Sequence, residues 1–299
     1  MSDFNPLVLR RILALRRFAI VADAELAELA TLAENVVETR FPAGALIAQA
    51  DSRLPALHLV LEGAIESAGM TWGPQQVFGA LEVLADRVLA APAVAKTETR
   101  TLQLFATDVA EFLEDSFGVL RTTLRTLATQ LLAHGSAATP LPKHERRVVT
   151  QPLGLVERLV LLRQQSLFAG ARLEALATLA HASAEVHWSA GEVVTRAGEL
   201  AQSALVIVEG SLEAAAGDGA AHTLGPGDTI GGLEMLAEAA HKETAQATCA
   251  GRGLRCTSAA IFDVIEDHAD FGLAMIATFA ATLLDGSFGR DEATSARAS

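Results

Sequence analysis

Two stretches of the chain repeat the same spacing of aromatic and glycine residues, and this repeat constrains the fold more than any other feature. Three matched pairs lie 147 positions apart: Phe41 and Trp188, Gly44 and Gly191, and Gly63 and Gly210. The offset grows to 152 positions between Gly79 and Gly231. A drift of a few residues over so long a span indicates two copies of one domain that differ in loop length.

Each copy has the pattern of a small strand-rich unit between helices. Short apolar runs such as LHLVLEG are separated by glycine and proline, which is typical of strands joined by turns. Apolar residues at helical spacing precede and follow these runs in both copies. Many short strands with few helices between them predict an α+β fold with two repeated jelly-roll-like β-barrels, each flanked by helices.

The repeat and the composition together predict the domain limits. We expect a first domain over residues 1–134, which includes an amphipathic helix at 6–17, and a second domain over 153–285. Residues 135–152 combine Gly, Ser, three Pro and a small charged cluster, which predicts an inter-domain linker. Residues 286–299 are expected to form a flexible tail.

Charge and hydropathy exclude several classes of protein. The chain has 299 residues, 51% of them hydrophobic, and a formal net charge of −13, which disfavours binding to nucleic acid. No apolar run approaches the roughly 18 residues that span a membrane, and the N-terminus lacks the features of a secretory signal. Cys249 and Cys256 are too few for a disulfide scaffold. We expect free thiols and a cytoplasmic location, and the high alanine content favours a bacterial source.

A glycine-rich stretch over residues 224–247 is the strongest candidate for a binding site. Gly231 and Gly232 open a short helical run, and glycines at a helix start let a backbone approach an anion. The alternative is an ordinary turn that caps a short helix. Residues 73–84 repeat the same pattern in the first copy.

The order of these motifs resembles tandem cyclic-nucleotide-binding domains. In each copy an apolar helix is followed by aromatic-x-x-Gly, a turn, Leu-Glu-Gly or Val-Glu-Gly, and then the glycine-rich stretch. The resemblance covers about residues 18–134 and 168–285, and it extends to catabolite activators and to regulatory subunits of protein kinases. It implies that the glycine-rich stretch is a phosphate-binding cassette. In the family, a glutamate of the cassette binds the ribose and an arginine binds the cyclic phosphate.

The cassette of the first copy departs from the family pattern at both ligand positions. Ala80 stands where the resemblance implies the glutamate, and residues 89–92 are all apolar where the arginine would fall. Loss of the arginine fork alone would cost about 3–5 kcal/mol of binding free energy. We therefore expect no nucleotide binding in the first domain.

The second cassette departs in the same way but keeps some polar groups. Gly232 replaces the glutamate, and His241 stands at the arginine position with Lys242 beside it. Thr244 matches the threonine of the motif. A neutral imidazole cannot form the fork and Lys242 offers only a point charge, so the second site is expected to be badly weakened.

Both copies carry a glutamate two positions after the one at which the family has its ribose-binding glutamate. A shift of two residues turns a helical side chain by about 200°, so neither Glu82 nor Glu234 restores the ribose contact. A solvated helix face or a turn contact is the first interpretation. A pocket adapted to a different ligand is the second.

Motifs for other functions are missing from the sequence. The eight histidines contain no His-x-His or HExxH ligand pair, and we find neither a Gly-x-Ser-x-Gly elbow nor a Walker loop. We therefore predict no catalytic residues and no metal site. Only a short segment follows Leu284, too little for the DNA-recognition helix that a transcription factor of the catabolite-activator type would need. The run RRVVT resembles the inhibitor segment of kinase regulatory subunits, but it falls inside the predicted linker and not ahead of the first domain.

The sequence thus leads to a ranked set of hypotheses. The first is a non-enzymatic regulatory or adaptor protein without a cofactor, which acts by binding another protein. The second is a sensor whose second domain binds a cyclic nucleotide or related phosphate through six residues: Gly231, Gly232, Leu233, His241, Lys242 and Thr244. A third is a subunit packaged in a larger assembly. We expect the apolar stripes of the last helix in each copy to pack on the protein's own barrels. If part of a stripe stays exposed, the two halves could pair within one chain or two chains could form a homodimer.

Overall fold

A computed structural model describes residues 6–22, 24–134, 153–168, 170–217, 219 and 221–295. The predicted linker at 135–152 lies outside these residues. The chain divides into two compact units, one with residues 1–123 and 276–299 (unit 1) and the other with residues 124–275 (unit 2). These units differ from the sequence-based domains at their helical ends, and the domain limits stay a prediction.

Unit 1 contains two four-stranded antiparallel sheets between helices. Its helices and strands are α1 (Pro6–Leu15), a 3-10 turn (Ala19–Val21), α2 (Leu26–Asn35), β1 (Val37–Phe41), β2 (Leu46–Ala48), β3 (Ala56–Glu62), β4 (Ile65–Ser67), β5 (Met70–Trp72), β6 (Val77–Phe78), α3 (Ala80–Leu84), β7 (Ala93–Ala95), β8 (Thr99–Phe105), α4 (Ala106–Asp115) and α5 (Phe117–Ala133). The strand orders are β1-β8-β3-β6 and β2-β7-β4-β5. Helix α5 ends in unit 2.

Unit 2 repeats this arrangement. Its helices and strands are α6 (Leu155–Arg163), a 3-10 turn (Ser166–Phe168), α7 (Leu173–Ala182), β9 (Ala184–Trp188), β10 (Val193–Thr195), β11 (Ser203–Glu209), β12 (Leu212–Ala215), β13 (His222–Leu224), β14 (Thr229–Ile230), α8 (Gly232–Leu236), β15 (Thr244–Ala247), β16 (Gly251–Thr257), α9 (Ser258–Asp267) and the start of α10 (Ala269–Ser295). Helix α10 ends in unit 1. The strand orders are β10-β15-β12-β13 and β14-β11-β16-β9.

The two barrels match down to their irregularities, which confirms the predicted fold class of two repeated jelly-roll-like barrels flanked by helices. The β3–β8 and β11–β16 pairs both shift register just before the Glu-Gly turn that ends β3 and β11. The turn glycines, Gly63 and Gly210, have positive φ values of 78° and 90°. A Cβ at Gly210 would lie 2.9 Å from the Ala250 carbonyl oxygen, so this turn requires glycine in unit 2.

The interiors of the two barrels are filled by side chains of different size. In unit 1 the core combines Leu54, Val60, Phe78 and Leu89 with the half-buried Trp72. Unit 2 has a smaller residue at two matching positions, Ala201 for Leu54 and Ile230 for Phe78. Its core members are Trp188, Leu205, Ile207, Leu212, Ala214, Ala245 and Ala247. Ala245 is matched by Ala93 of unit 1, so alanine is common to both cores.

The closing helices bury the apolar stripes that the sequence predicts. Leu120, Leu124 and Leu131 of α5 are buried, as are Ile276 and Leu283 of α10. The dimer that would need these stripes exposed stays a prediction. Helix α10 continues to Ser295, within the range 286–299 that we predicted to be a flexible tail. Its flexibility is untested.

One helix passes a length and composition test for membrane spanning, contrary to the expectation from apolar runs. Among the described residues, the segment Ala269–Gly286 is long and apolar enough, and 44% of it is buried inside the protein. Core helices of soluble proteins pass the same test, so the segment is weak evidence for a membrane span.

A buried histidine distinguishes the first barrel from the second. His58 of β3 lies between Phe41 and Phe78, with ring centroids 5.8 Å and 6.0 Å away, and its Nδ1 is 3.3 Å from the Thr101 hydroxyl. Burial lowers the pKa of His58 to about 4 because the charged ring would lose its hydration. The equivalent position in unit 2 holds Leu205.

We predict that His58 makes unit 1 sensitive to acid. The folded state holds His58 neutral, whereas the unfolded chain binds a proton near pH 6.5, so stability is full above that pH and falls as the pH drops towards 4. The loss should reach about 3 kcal/mol at pH 4. The chain has no tyrosine and two tryptophans. In a Trp188→Phe background, urea unfolding followed by Trp72 fluorescence at several pH values measures this loss.

The matched variant is His58→Leu, which copies the residue of the second barrel. It should remove most of the acid sensitivity between pH 6.5 and 4, whatever its effect on stability at neutral pH. An equal acid-induced loss with and without His58 would contradict this assignment.

Candidate functional site

The second cassette begins at a glycine that its surroundings require. Gly231 links β14 to α8 with a φ of +79°. A Cβ at this position would lie 2.7 Å from the Ser203 carbonyl oxygen and 2.8 Å from Cε1 of His241. Backbone conformation and packing therefore both exclude a larger residue. The imidazole of His241 lies directly against this glycine.

The next two predicted residues have different surroundings. A Cβ at Gly232 would meet only ordinary contacts, 3.6 Å from Thr229 Cγ2 and 3.8 Å from Ala204 Cβ. Leu233 is half-buried, and its carbonyl oxygen accepts a hydrogen bond of 2.9 Å from Ala237 at the end of α8. The site thus tolerates a side chain at the position of the lost glutamate.

The backbone of His241 fixes the segment that follows α8. Its amide donates to the Glu199 carbonyl at 2.9 Å, and its carbonyl accepts from the Gly198 amide at 2.9 Å. The adjacent Leu200 and Ala240 form an isolated β-bridge. His241 is consequently held beside the 198–199 turn, with its half-buried ring on Gly231.

Lys242 contacts the end of a helix. Its Nζ donates to the Leu132 carbonyl in the last turn of α5, where carbonyl groups lack partners within the helix. In the same part of unit 2, Arg125 of α5 forms an ion pair of 3.5 Å with Glu238, which follows α8. The ammonium group of Lys242 is thus engaged by the protein itself.

Thr244 supports a turn. Its hydroxyl oxygen accepts a hydrogen bond of 3.1 Å from the Ala197 amide, and the residue starts strand β15. Of the six predicted residues, Gly231 and His241 are brought into contact. Lys242 and Thr244 are directed to other partners, and the ligand roles of all six remain a prediction.

The first cassette has an apolar side chain where the second has His241. Leu89 is 3% exposed and packs with Leu54 and Phe78 in the barrel core. Its backbone pairs with the preceding turn, through Asp51 at 2.8 Å and Ser52 at 2.9 Å. The sequence located the apolar segment 89–92 but could not show that Leu89 enters the core.

The glutamates two positions after the lost ligand residue are less exposed to solvent than a typical surface glutamate. Glu82 and Glu234 are both half-buried on α3 and α8. Burial raises the pKa of Glu82 above its usual range because the carboxylate loses hydration. A solvated helix face, the first interpretation from sequence, therefore does not describe Glu82.

Sequence reasoning missed an ion-pair network that occurs in both barrels. Arg100 donates to Glu38 at 3.1 Å and to Glu62, and Arg252 donates to Glu185 at 3.0 Å and to Glu209 at 3.1 Å. Hydrogen bonds from Arg100 lower the pKa of Glu62 and in turn raise that of the arginine. The signal that could have revealed the network is that these residues recur at the same two offsets as the glycines.

Two surface cavities are present, and one of them includes residues of the second cassette stretch. The first, of about 440 Å³ in unit 1, includes Arg10, Arg40 and Arg100 in its lining. The other, of about 500 Å³ in unit 2, is lined by Gly191, Glu213, Ala215, Thr244, Gln246, Ala247 and Thr248. Across the residues that the structure describes, no cluster of three His, Cys, Asp or Glu side chains could hold a metal ion.

Sequence comparison identifies a family for the second barrel. Residues 185–268 match the family model described as "Cyclic nucleotide-binding domain". No curated protein matches the chain. Residues 185–268 are therefore similar to a cyclic nucleotide-binding domain. The tandem arrangement of such domains and the loss of ligand chemistry go beyond this match.

Solved structures with a similar fold have low sequence identity. The regulatory domain of Toxoplasma gondii PKA with cAMP is 15% identical, with 90% of this chain and 98% of that chain covered and a TM-score of 0.33. The regulatory subunit of a cAMP-independent protein kinase A from Trypanosoma cruzi, bound to guanosine, is 16% identical, with 91% of each chain covered and a TM-score of 0.35. The N-terminal domain of a Streptomyces coelicolor transcriptional regulator is 22% identical, with 42% of this chain and 93% of that chain covered and a TM-score of 0.39. Likenesses this distant carry no functional argument.

We predict that replacement by alanine destabilises the protein much more at Gly231 than at Gly232. Gly231→Ala should cost about 2–4 kcal/mol of unfolding free energy, because alanine would be strained at positive φ and would clash with the Ser203 carbonyl. Gly232→Ala should stay within about 1 kcal/mol because its Cβ has room. Urea unfolding followed by Trp188 fluorescence in a Trp72→Phe background measures both. Equal costs for the two variants would show that the cassette backbone is not as described.

Proposed function

We propose that this protein is a non-enzymatic regulatory adaptor, built from two cyclic-nucleotide-binding-like barrels that no longer bind a nucleotide. It acts by binding another protein in the cytoplasm and uses neither metal nor cofactor. The observation that carries the proposal is the burial of Leu89 at the position of the phosphate-binding arginine. A barrel that fills this position with an apolar core residue has no cation for a cyclic phosphate.

The contacts of the second barrel support the same proposal. The only cation next to His241 in the sequence, Lys242, donates to the Leu132 carbonyl. Recruiting Lys242 to a phosphate would leave this carbonyl without that donor, which offsets part of the gain from the new contact. The His241 ring packs on Gly231, so it occupies space at the start of the cassette.

A cyclic-nucleotide sensor is the second candidate, and two observations favour it. The family match covers the second barrel, at residues 185–268. The interior of that barrel also has the smaller residue at two matched positions, Ala201 for Leu54 and Ile230 for Phe78. In this reading a cyclic nucleotide or related phosphate binds near Gly231, Gly232 and Leu233, with His241, Lys242 and Thr244 completing the site.

Calorimetric titration with cAMP, cGMP and cyclic dinucleotides separates the two candidates. We expect no heat of binding from the natural protein. The variant Gly232→Glu/His241→Arg should gain binding, since a side chain at Gly232 has room and the arginine restores the fork. Binding by the natural protein at low micromolar concentration would sink the adaptor proposal.

The first barrel supplies a matched control. Ala80→Glu/Leu89→Arg introduces the same two residues at the equivalent positions. This variant should gain no binding and should lose several kcal/mol of stability, because it places an unpaired guanidinium in the core around Leu54 and Phe78. If it bound cyclic nucleotides like the second-barrel variant, the argument from Leu89 would be wrong.

A further inference from the structure

A groove of about 440 Å³ on unit 1 concentrates positive charge on an otherwise acidic protein. It lies where α1, β1, β3 and β8 meet, and the residues that line it are Arg10, Arg40, Glu62, Glu98, Thr99 and Arg100. The whole chain carries a formal net charge of −13. Three arginines and two glutamates line the recess, so its local net charge is positive and it attracts an anion more than the surrounding acidic surface does.

One of the three arginines is structural. The Arg100 guanidinium bridges Glu38 and Glu62 and is 19% exposed, as its counterpart Arg252 bridges Glu185 and Glu209. Arg100 therefore forms the base of the groove in unit 1. Its Nε is buried and has no hydrogen-bond partner among the residues that the structure describes. In unit 2 the equivalent Nε donates to Glu209 at 3.1 Å.

The other two arginines are specific to the first copy. Arg10 and Arg40 stand where the second copy has Glu157 and His187. Both are exposed, and neither side chain forms an ion pair or hydrogen bond with another described residue. Each also helps to lower the pKa of Glu62, which places both charges near this carboxylate. The repeat has thus kept the Arg–Glu network and added free cations at its edge.

We propose that this groove docks an acidic peptide segment of a partner protein, with its carboxylates on Arg10 and Arg40. The inference rests on the proposed adaptor function and names the surface and the partner chemistry. Guanidinium groups bind carboxylates in a fork, which favours such partners over neutral ones. Glu62 and Glu98 also line the groove and would repel a continuous row of negative charge, so the groove suits acidic side chains separated by neutral or basic residues.

Two other anionic partners fit the groove less well. Nucleic acid presents a continuous row of phosphates, which the exposed Glu98 and the net charge of −13 would repel. A membrane surface is flat, whereas the arginines line a recess. Both remain as outcomes of the test.

The test measures fluorescence anisotropy of a short fluorescein-labelled peptide, in which Glu alternates with Ser, on the full-length protein. We expect saturable binding at low salt that weakens as salt is added. Arg10→Glu/Arg40→His, which installs the residues of the second copy, should weaken binding at least about tenfold because two charge-assisted contacts are lost. Arg10→Gln/Arg40→Gln is the milder variant and should weaken it in the same direction.

The matched control is Arg16→Glu/Arg17→His, which makes the same change in net charge at exposed positions just after α1. This variant should bind within about threefold of the natural protein. Equal weakening by the two variants would show diffuse attraction and overturn the proposal, as would absence of peptide binding. Inorganic phosphate, duplex DNA and phosphatidylserine vesicles are titrated in parallel. Binding of any of these in place of the peptide, with loss in Arg10→Glu/Arg40→His, would also overturn it.

The outcome can be separated from that of the adaptor proposal. If the peptide does not bind and cyclic nucleotides are also silent in calorimetry, the groove assignment fails while the adaptor proposal stands. If the natural protein binds a cyclic nucleotide, the adaptor proposal fails whatever the peptide does.

Discussion

The space inside each barrel has to be filled, and most of the structure follows from how each copy fills it. Protein interiors are close-packed, and an apolar void between two small sheets costs free energy unless side chains or a ligand occupy it. Unit 1 places Leu54, Leu89 and Phe78 in this space. Unit 2 has Ala201 and His241 at the positions of Leu54 and Leu89, and His241 packs on the cassette glycine. At this position the same fold thus accommodates a buried leucine in one copy and a half-buried histidine in the other.

The two copies have diverged at points where the fold does not constrain the residue. The turn glycines and the Arg–Glu network recur because the register shift and the buried guanidinium leave little choice. By contrast, His58 of the first copy corresponds to Leu205 in the second copy, and Arg10 corresponds to Glu157. Differences of this kind mark where the copies acquired separate properties: a titratable core group in one case and an altered surface charge in the other.

The sequence predicted the architecture because glycines with special backbone geometry and alternating apolar runs are local signals. Gly79 and Gly231 could be paired from their spacing alone, and both turn out to have positive φ. The direction of a side chain is a tertiary property that spacing does not encode. Lys242 is the clearest example, because it follows His241 in the motif yet reaches the carbonyl of Leu132, 110 residues earlier. Leu89 was recognised as apolar, but its place in the core depends on pairing with the turn at Asp51 and Ser52.

The shared closing helix has a consequence for the autonomy of each half. Residues 124–133 belong to the compact unit of the second barrel although they precede the predicted linker, and Arg125 and Leu132 supply partners for Glu238 and Lys242. A fragment that starts at residue 153 would lack these partners. The segment that follows α8 would then lose its contacts with α5. The boundary between the sequence repeats therefore differs from the boundary between the two compact units of the structure.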